Sequence, residues 1–577
     1  MITITLRKPN KLNTTVLSPL SAFVSFDYDA GIVQILQSMS SRVYIPETRE
    51  WEVPMSQVAT LCNKLARYDV EITGELLETG KGNTLTLPAS FQFKTTPYNH
   101  QIEGVEYGLN HNTFLLGDEQ GLGKTKQTID LAVLKKGTEK IKHCLIICGV
   151  NGVKYNWQNE VAIHSNETSW VLGTRYTKRD RKAYEGSSED KLYDLNHLPS
   201  DFFIITNIET LRGLSKNIGT KKRKKMVYPI ADKITELCKK GEIGMIAFDE
   251  CHKAKNPESN QGEALLKISA KNMVALSGTP LMNNPLDLFV PLKWLGYEDH
   301  NYYQFKQHYC VFGGFGGTEI VGYKNLGDIR QLLETMMVRR LKSEVLDLPE
   351  KTHITEYVEM GAQQASIYKE VHSDIKNNID KIRIAADPLA QLIRLRQATG
   401  YPGILSSSIT DSAKLDRLEE LVEEVVQAGD KCLIFSNWEQ MTGVVWNKMK
   451  KYNPAYIVGD VDPISRVKEE KRFQTDDNCK VIIGTIGAMG TGLTLTAGTT
   501  VIFMDEPWNR ALKDQAEDRA HRIGTKGTVT IITLITKGTI DERIQEIVYK
   551  KGRMSDMLVD GKVVDTKRAA MLDYLIS

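Results

Sequence analysis

The amino-acid sequence predicts an α/β fold: two parallel-sheet lobes with helical insertions, preceded by a small N-terminal α+β domain. Three observations carry this reading. Short β-branched runs recur, each followed by a helix-like segment. The runs fall into two series. A mainly helical stretch separates the series. The first series is Cys144–Cys148, Phe202–Thr206, Met245–Asp249 and Val274–Ser277. The second is Cys432–Ser436, Tyr456–Val458, Val481–Thr485, Val501–Asp505 and Val529–Ile535. Apolar runs bounded by Gly or polar residues and alternating with helices are the mark of parallel sheets covered on both faces.

Taken in order, residues 1–90 form an accessory domain, with short strand-like runs and a helix over Val58–Tyr68. Gly80–Asn83 is its linker. Residues 91–350 form the first lobe. Residues 351–410 read as a helical connector, because Gln363–Ile379 and Leu389–Ala398 carry helical spacing, many charges and no strand signal. Residues 411–577 form the second lobe. No repeat of solenoid period is present.

With 577 residues, 41% hydrophobic and 25% charged, the chain has the composition of a globular protein of several domains. Its net charge of +2 means that any nucleic-acid contact comes from a local surface and not from global charge. The 8 cysteines contain no C-x-x-C pair. Cys144 and Cys148 lie on one apolar run without a second pair at zinc spacing, so buried free thiols in a reducing compartment are expected. MITITLRKPNKL lacks the apolar core of a signal peptide, and no run approaches 18 apolar residues. A cytoplasmic location is expected, or a nuclear one in a eukaryote. The compactness of the chain suggests a prokaryotic or viral source.

Residues 117–125, Gly-Asp-Glu-Gln-Gly-Leu-Gly-Lys-Thr, follow the apolar Phe114–Leu116 and precede a helix-like Gln127–Leu134. Strand, glycine-rich turn, Lys-Thr and helix make a phosphate-binding loop. Its backbone N–H groups and the helix dipole would face a triphosphate. Lys124 would reach the β/γ-phosphates, and Thr125 would hold Mg²⁺. Asp118 stands where the first Gly of the usual pattern belongs. The bland alternative is a chance glycine-rich turn with a surface lysine.

Met245–His252 reads Met-Ile-Ala-Phe-Asp-Glu-Cys-His. A buried strand ending in Asp-Glu puts two carboxylates at the carboxyl edge of a parallel sheet. Asp249 suits a magnesium ligand, and Glu250 suits the group that orients or deprotonates the attacking water. Leu276-Ser277-Gly278-Thr279-Pro280 ends another strand, and its small hydroxyls can couple the nucleotide site to a moving neighbour. In the second lobe, Gly490-Thr491-Gly492-Leu493 precedes Gln515, Arg519 and Arg522. On a helix these three fall at i, i+4 and i+7, on one face. They make an arginine-finger arrangement or, more blandly, a solvated charged helix. The basic run Lys221–Lys225 reads as a solvated loop, a phosphate-contacting loop or a nuclear-localisation signal.

Together these motifs resemble the Swi/Snf-type branch of superfamily-two helicase-like ATPases over about residues 90–550. The ordered series adds Pro97-Tyr98-Asn99-His100-Gln101, Asn156-Trp157-Gln158-x-Glu160, Arg339-Arg340-x-Lys342, Leu348-Pro349-x-Lys351, Leu395-Arg396-Gln397, Ile434-Phe435-Ser436 and Asp505-x-x-Trp508-Asn509. The resemblance implies two RecA-like lobes, ATP bound in the cleft between them, and translocation on double-stranded DNA without true strand separation. It implies that Gln101 reads the adenine. Asp118, Gly121, Gly123, Lys124, Thr125, Asp249 and Gly492 would bind ATP and Mg²⁺, with Thr125 and Asp249 on the metal. Lys124, Glu250, Gln515, Arg519 and Arg522 would be catalytic. Trp157, Thr206 and Thr485 would meet the DNA backbone. Asp118 is shared with that family. Cys251, Arg510, Thr525 and Gly149-Val150-Asn151 depart from its usual pattern. The long segment between Thr206 and Asp249 is expected to be a protrusion near DNA. Residues 26–54 (Phe26-Asp27-Tyr28, Arg42-x-Tyr44, Arg49-x-Trp51) resemble the HARP-type domain of annealing helicases, which implies fork-like or branched DNA as partner. A small enzyme of this kind would carry out annealing, branch migration or fork regression. A strand-separating helicase and an RNA track remain alternatives. A silent DNA-binding scaffold is disfavoured, since Lys124, Asp249, Glu250 and both arginines are present.

Overall fold

The computed structural model describes residues 2–7, 21–37, 39, 42–54, 58–65, 67–74, 85–149, 153–179, 183–218, 223–278, 285–313, 316–346, 348–378, 392–490, 492–525 and 527–548. By contacts the chain divides into two units. One holds residues 1–117, 124–310 and 323–339, and the other holds 118–123, 311–322 and 340–577. Gly80–Asn83, Val150-Asn151, Lys221-Lys222, Thr279-Pro280, Thr491 and residues 389–391 lie outside the described residues.

The N-terminal module in the first unit is α+β, as expected. Strands β1 (Ile2–Arg7), β2 (Ser21–Phe26), β3 (Val43–Ile45), β4 (Glu50–Pro54) and β5 (Val70–Gly74) form a sheet in the order β3-β4-β2-β1-β5. Helices α1 (Ala30–Gln37) and α2 (Val58–Lys64) help cover it, with Ile4, Val24, Leu36, Val53 and Leu61 in the core. The expected helix over Val58–Tyr68 is thus shorter.

The main body of the first unit is a seven-stranded sheet, entirely parallel. Its strands are β6 (Thr113–Leu116), β7 (His143–Cys148), β8 (Ser169–Val171), β11 (Phe203–Asn207), β14 (Ile243–Asp249), β15 (Asn272–Leu276) and β18 (Met337–Val338), in the order β18-β6-β15-β14-β7-β11-β8. Alternate residues face opposite sides. Phe114, Leu116, Cys144, Ile146, Phe203, Ile205 and Val274 share one core cluster, while Leu145, Ile147, Ile204, Phe248 and Ala275 are also buried. Burial on both faces is why these strands read as unbroken apolar runs. Helices α3 (Asn99–Asn110), α4 (Lys124–Glu139), α5 (Lys154–His164), α6 (Ser188–Asn196) and α7 (Pro229–Lys239) belong to the same unit. Two small antiparallel hairpins are inserted: β9 (Thr174–Tyr176) with β10 (Ala183–Glu185), and β12 (Leu214–Ile218) with β13 (Arg223–Val227). The second is the expected long segment, and Arg223–Lys225 of the basic run lies on β13. Strands β16 (Cys310–Gly313) and β17 (Glu319–Tyr323), most of whose residues fall in the second unit, make a further two-stranded sheet.

The second unit carries a six-stranded, all-parallel sheet of β19 (Lys351–Val358), β20 (Cys432–Ser436), β21 (Ala455–Ile457), β22 (Val481–Thr485), β23 (Thr500–Phe503) and β24 (Val529–Thr536), ordered β19-β24-β23-β20-β22-β21. Leu433, Phe435, Ile482, Val501 and Ile531 pack on one side, and Ile434, Val481, Ile483, Ile502 and Ile532 on the other. One expectation is corrected here. Residues 351–410 are not an all-helical connector, because β19 is the edge strand of this sheet. Its sequence, Lys-Thr-His-Ile-Thr-Glu-Tyr-Val, is polar and mostly part-exposed, so an edge position hides the apolar run that marks a central strand. The helices Ala362–Asn377 and Leu392–Gly400 do form, and Val371, Ile375, Leu392 and Leu395 pack with Ile540, Ile544 and Val548. Among the described residues no helix is long and apolar enough to cross a membrane.

Candidate nucleotide and nucleic-acid site

All strands of the first sheet run the same way, so β6, β7, β11, β14 and β15 deliver their carboxyl ends to one edge. Lys124 opens α4 and is 9% exposed. At the end of β14, the Asp249 carboxylate accepts the Trp157 indole N–H at 2.8 Å through Oδ2 and the Glu250 N–H at 2.9 Å through Oδ1. Burial pushes its pKa up to about 6, the Glu250 charge adds to this, and the Trp157 donor and the Lys124 ammonium oppose it. Glu250 sits in the left-handed region (φ 51°, ψ 51°), a conformation unfavourable for a side chain with a Cβ and frequent at functional turns. Its carboxylate lies 3.4 Å from His252 Nδ1, and that nitrogen lies 3.0 Å from Ser277 Oγ on the loop after β15. Burial pushes the His252 pKa down, and its Nδ1 lies between the Glu250 carboxylate and the Ser277 hydroxyl.

These residues fit a magnesium-bound triphosphate. Burial and the Glu250 charge raise the Asp249 pKa, and a cation there relieves that crowding. Among the described residues no three His, Cys, Asp or Glu side chains cluster as a metal cage. A cation held by Thr125 and Asp249 would therefore draw its remaining oxygens from phosphate and water, the usual habit of Mg²⁺. Gln101, 3% exposed, uses its side-chain oxygen to accept the Tyr98 N–H at 3.1 Å, closing a capping box at the start of α3.

Two expected DNA contacts are corrected. Trp157 and Thr206 are each 1% exposed and offer no surface to a duplex. Trp157 instead orients Asp249, an arrangement that sequence spacing could not reveal because 92 residues separate the pair. Thr485 is half-buried and caps the helix Ile486–Met489, accepting the Ala488 N–H. Trp157→Phe keeps the ring and removes the donor, leaving a buried carboxylate oxygen short of a partner at a cost of about 1–3 kcal/mol. We expect a ~10-fold rise in the Mg²⁺ needed for half-maximal ATP turnover. In a chain of this size the melting temperature should fall only slightly. An unchanged Mg²⁺ titration would leave Trp157 as a core residue only.

In the second unit the loop 118–123 is held by backbone and charge. Arg340 Nη1 donates to Asp118 Oδ2 at 3.0 Å, the Glu119 N–H donates to the Arg340 carbonyl, and the Lys342 N–H donates to Glu119 Oε2 at 2.7 Å. Gly121 takes φ +85°, and a Cβ there would come within 2.9 Å of the Arg522 Cβ, so only glycine fits. Gly123 takes φ +78° and Gly492 φ +73°.

The helix Arg510–Glu517 stops before both arginines, which lie on tight turns, so the expected single helical face is corrected. The arginines still converge. Arg519 Nη1 and Arg522 Nη1 donate to the Leu493 carbonyl at 3.2 and 3.3 Å, and Arg522 Nη1 also reaches Thr494 Oγ1 at 2.9 Å. Arg519 Nε donates to the Gln515 carbonyl at 3.1 Å. A buried ionic network fixes these turns. Lys342 Nζ meets Asp518 at 2.7 Å and the His521 carbonyl at 2.8 Å; Lys351 Nζ meets Glu517 at 3.2 Å and Asp518 at 3.1 Å. The His353 and Lys351 partners hold the Glu517 pKa down to about 2. In the sequence Lys342 and Lys351 are only motif letters, without a role.

Two parallel-sheet units, one with Lys124 and a strand-end Asp-Glu and the other with the loop 118–123 and a paired-arginine turn, define a helicase-type core. Residues 100–404 match the SNF2-related domain and residues 413–524 the helicase conserved C-terminal domain, and the chain belongs to the SNF2-related family. YwqA of Bacillus subtilis is 28% identical over 82% of this chain and 50% of its own length. A Caenorhabditis elegans homolog of SWI/SNF-related matrix-associated actin-dependent regulator of chromatin subfamily A-like protein 1 is 26% identical over 91% of this chain and 73% of its own. The DNA annealing helicase and endonuclease ZRANB3 of Bos taurus is 26% identical over 82% and 41%. The chain thus spans about half the length of several curated relatives it matches. Among solved structures, the Sulfolobus solfataricus SWI2/SNF2 ATPase core in complex with double-stranded DNA is 24% identical, covers 83% of this chain and 96% of that one, and gives a TM-score of 0.36.

Proposed function

We propose that this chain is a DNA-dependent ATPase that translocates on double-stranded DNA and uses that motion to remodel branched or fork DNA. The observation that carries the reading is the buried Asp249–Glu250 pair beside Lys124, tied to Ser277 through His252. The HARP-like N-terminal segment and the similarity to an annealing helicase support the finer choice of fork DNA.

In this reading Lys124 holds the β/γ-phosphates, and Gln101 recognises the base. Thr125 and Asp249 would hold Mg²⁺, which when bound supplies charge to the phosphate oxygens. Glu250 accepts a proton from the attacking water, its carboxylate set by the turn at φ 51° and by His252. Arg522 and Arg519 stabilise the charge that develops on the transferred phosphoryl group, with Gln515 beside them. Thr485 and the β12–β13 hairpin are the proposed meeting points with the DNA backbone in this scheme. Phosphate contacts are sequence-blind, so turnover should depend on DNA structure and steeply on salt, and little on base sequence.

The deciding experiment compares ATPase stimulation by blunt duplex, fork, single-stranded DNA and RNA, together with annealing and strand-displacement assays. Stimulation by duplex and fork with net annealing is expected. Stimulation by RNA alone, or efficient unwinding of a blunt duplex, would overturn the proposal.

A further inference from the structure

The insertion that follows β8 carries none of the family motifs. Strand β8 closes one end of the parallel sheet, and its carboxyl end lies on the same edge as Asp249 at the end of β14. There the chain turns through Leu172-Gly173 into the β9–β10 hairpin. Between those strands, residues 178–182 read Lys-Arg-Asp-Arg-Lys, a dense positive cluster in a chain of net charge +2. Within the described part, Lys178 and Arg179 are exposed, and Tyr176 and Tyr184 are 58% and 49% exposed.

The base of the hairpin is held by ion pairs and hydrogen bonds. Glu185 pairs with Lys154 Nζ at 3.0 Å and Lys191 Nζ at 2.6 Å, and Lys154 is itself 1% exposed. Arg175 pairs with Asp190 and Asp194, each at 3.0 Å, and the Gly186 N–H donates to the Gly173 carbonyl at 2.7 Å. Asp194 also accepts the Gly173 N–H and the Trp170 indole N–H. The acids at the base are therefore satisfied by their own neighbours, while Lys178 and Arg179 face solvent. An ion-paired, half-buried base thus carries the exposed Lys178 and Arg179 and two solvent-facing tyrosines. Lys154 opens α5, and one turn further on the same helix Trp157 holds Asp249. The hairpin thus stands on the helix that orients the carboxylate.

We propose that the β9–β10 hairpin is a DNA-binding element, with Lys178 and Arg179 on backbone phosphates and Tyr176 and Tyr184 stacking on unpaired bases where a duplex opens. This rests on the reading of the chain as a DNA-dependent ATPase. It replaces the surface role expected of Trp157 and Thr206.

The test is a salt titration of DNA affinity for the full chain and for Lys178→Gln/Arg179→Gln. Removing one phosphate-binding side chain should flatten the slope of log affinity against log salt by about 1. For the double variant a slope shallower by about 2 is expected, with nucleotide-analogue binding, melting temperature and turnover at saturating DNA unchanged. The single variants, each shallower by about 1, guard against a folding artefact. Tyr176→Ala/Tyr184→Ala should weaken binding to a fork ~5-fold more than to a blunt duplex, because stacking needs exposed bases. An unchanged slope in a chain that binds DNA overturns the hairpin, and equal losses on fork and duplex overturn the stacking. A wild-type chain that binds no DNA refutes the parent reading instead.

Discussion

Glu250→Gln is expected to lower DNA-stimulated ATP hydrolysis by roughly two to four orders of magnitude while ATP and DNA binding persist. The residue is 8% exposed, so its carboxylate sits where little bulk water can substitute for it. Gln matches its shape and keeps a polar group toward His252, but it cannot accept a proton from water at neutral pH. General acid–base assistance is worth roughly 10²–10⁴ in rate. We expect a fall in kcat of that order, with a KM for ATP within a few-fold of the parent. Single-turnover hydrolysis and fluorescent-nucleotide binding separate the two quantities. Glu250 also occupies φ 51°, ψ 51°, so the isosteric amide is the fair test and alanine is not. If turnover survives in Glu250→Gln, proton acceptance belongs to another group and the assignment falls.

Arg522→Ala should have the other large effect. A positioned guanidinium that stabilises a phosphoryl-transfer transition state contributes roughly 10³–10⁵ in kcat. Arg522 is half-buried and shares the Leu493 carbonyl with Arg519, but only Arg522 also holds Thr494 Oγ1. Arg519 is 6% exposed and braced by the Gln515 carbonyl, so it does more to hold the turn. The two variants should therefore part company. Arg522→Ala should lose hydrolysis and keep its melting temperature; Arg519→Ala should lose hydrolysis and melt earlier, because Ala removes the side-chain donor of the buried Gln515 carbonyl and leaves the Leu493 carbonyl with Arg522 alone. Lys at 522 should rescue poorly, since an ammonium cannot span two oxygens as a guanidinium fork does. Equal retention of turnover in both variants would remove the arginines from the chemistry.

Much of the fold is legible in the sequence. Cys432–Ser436 and Val481–Thr485 fall on the observed strands residue for residue, and the other runs are offset by one or two positions at one or both ends. These strands are buried on both faces, so their composition carries the message. Strand β19 is hidden because it lies at an edge, where Lys351, His353 and Glu356 can stay polar and part-exposed without cost. The β9–β10 hairpin is hidden for a related reason. Each strand is three residues long, too short for a period of two to stand out from a charged loop. Helical spacing from Gln515 to Arg522 misleads, because spacing alone does not show that the backbone turns at Asp518, where Lys342 and Lys351 hold the carboxylate.

The sequence by itself determined the class of protein: the phosphate loop, the strand-end Asp-Glu, the two sheets and their order along the chain. These depend on local pattern, in which neighbouring residues share one strand, turn or cap. Only the tertiary structure decided what those residues touch. It placed the Trp157 indole on Asp249, Lys342 and Lys351 on the paired-arginine turn, and Glu185 on the helix that leads to Trp157. Each of these contacts except Lys154–Glu185 joins residues more than ninety positions apart. Such pairs are chosen by burial and charge compensation in the folded chain, and linear spacing holds no record of them.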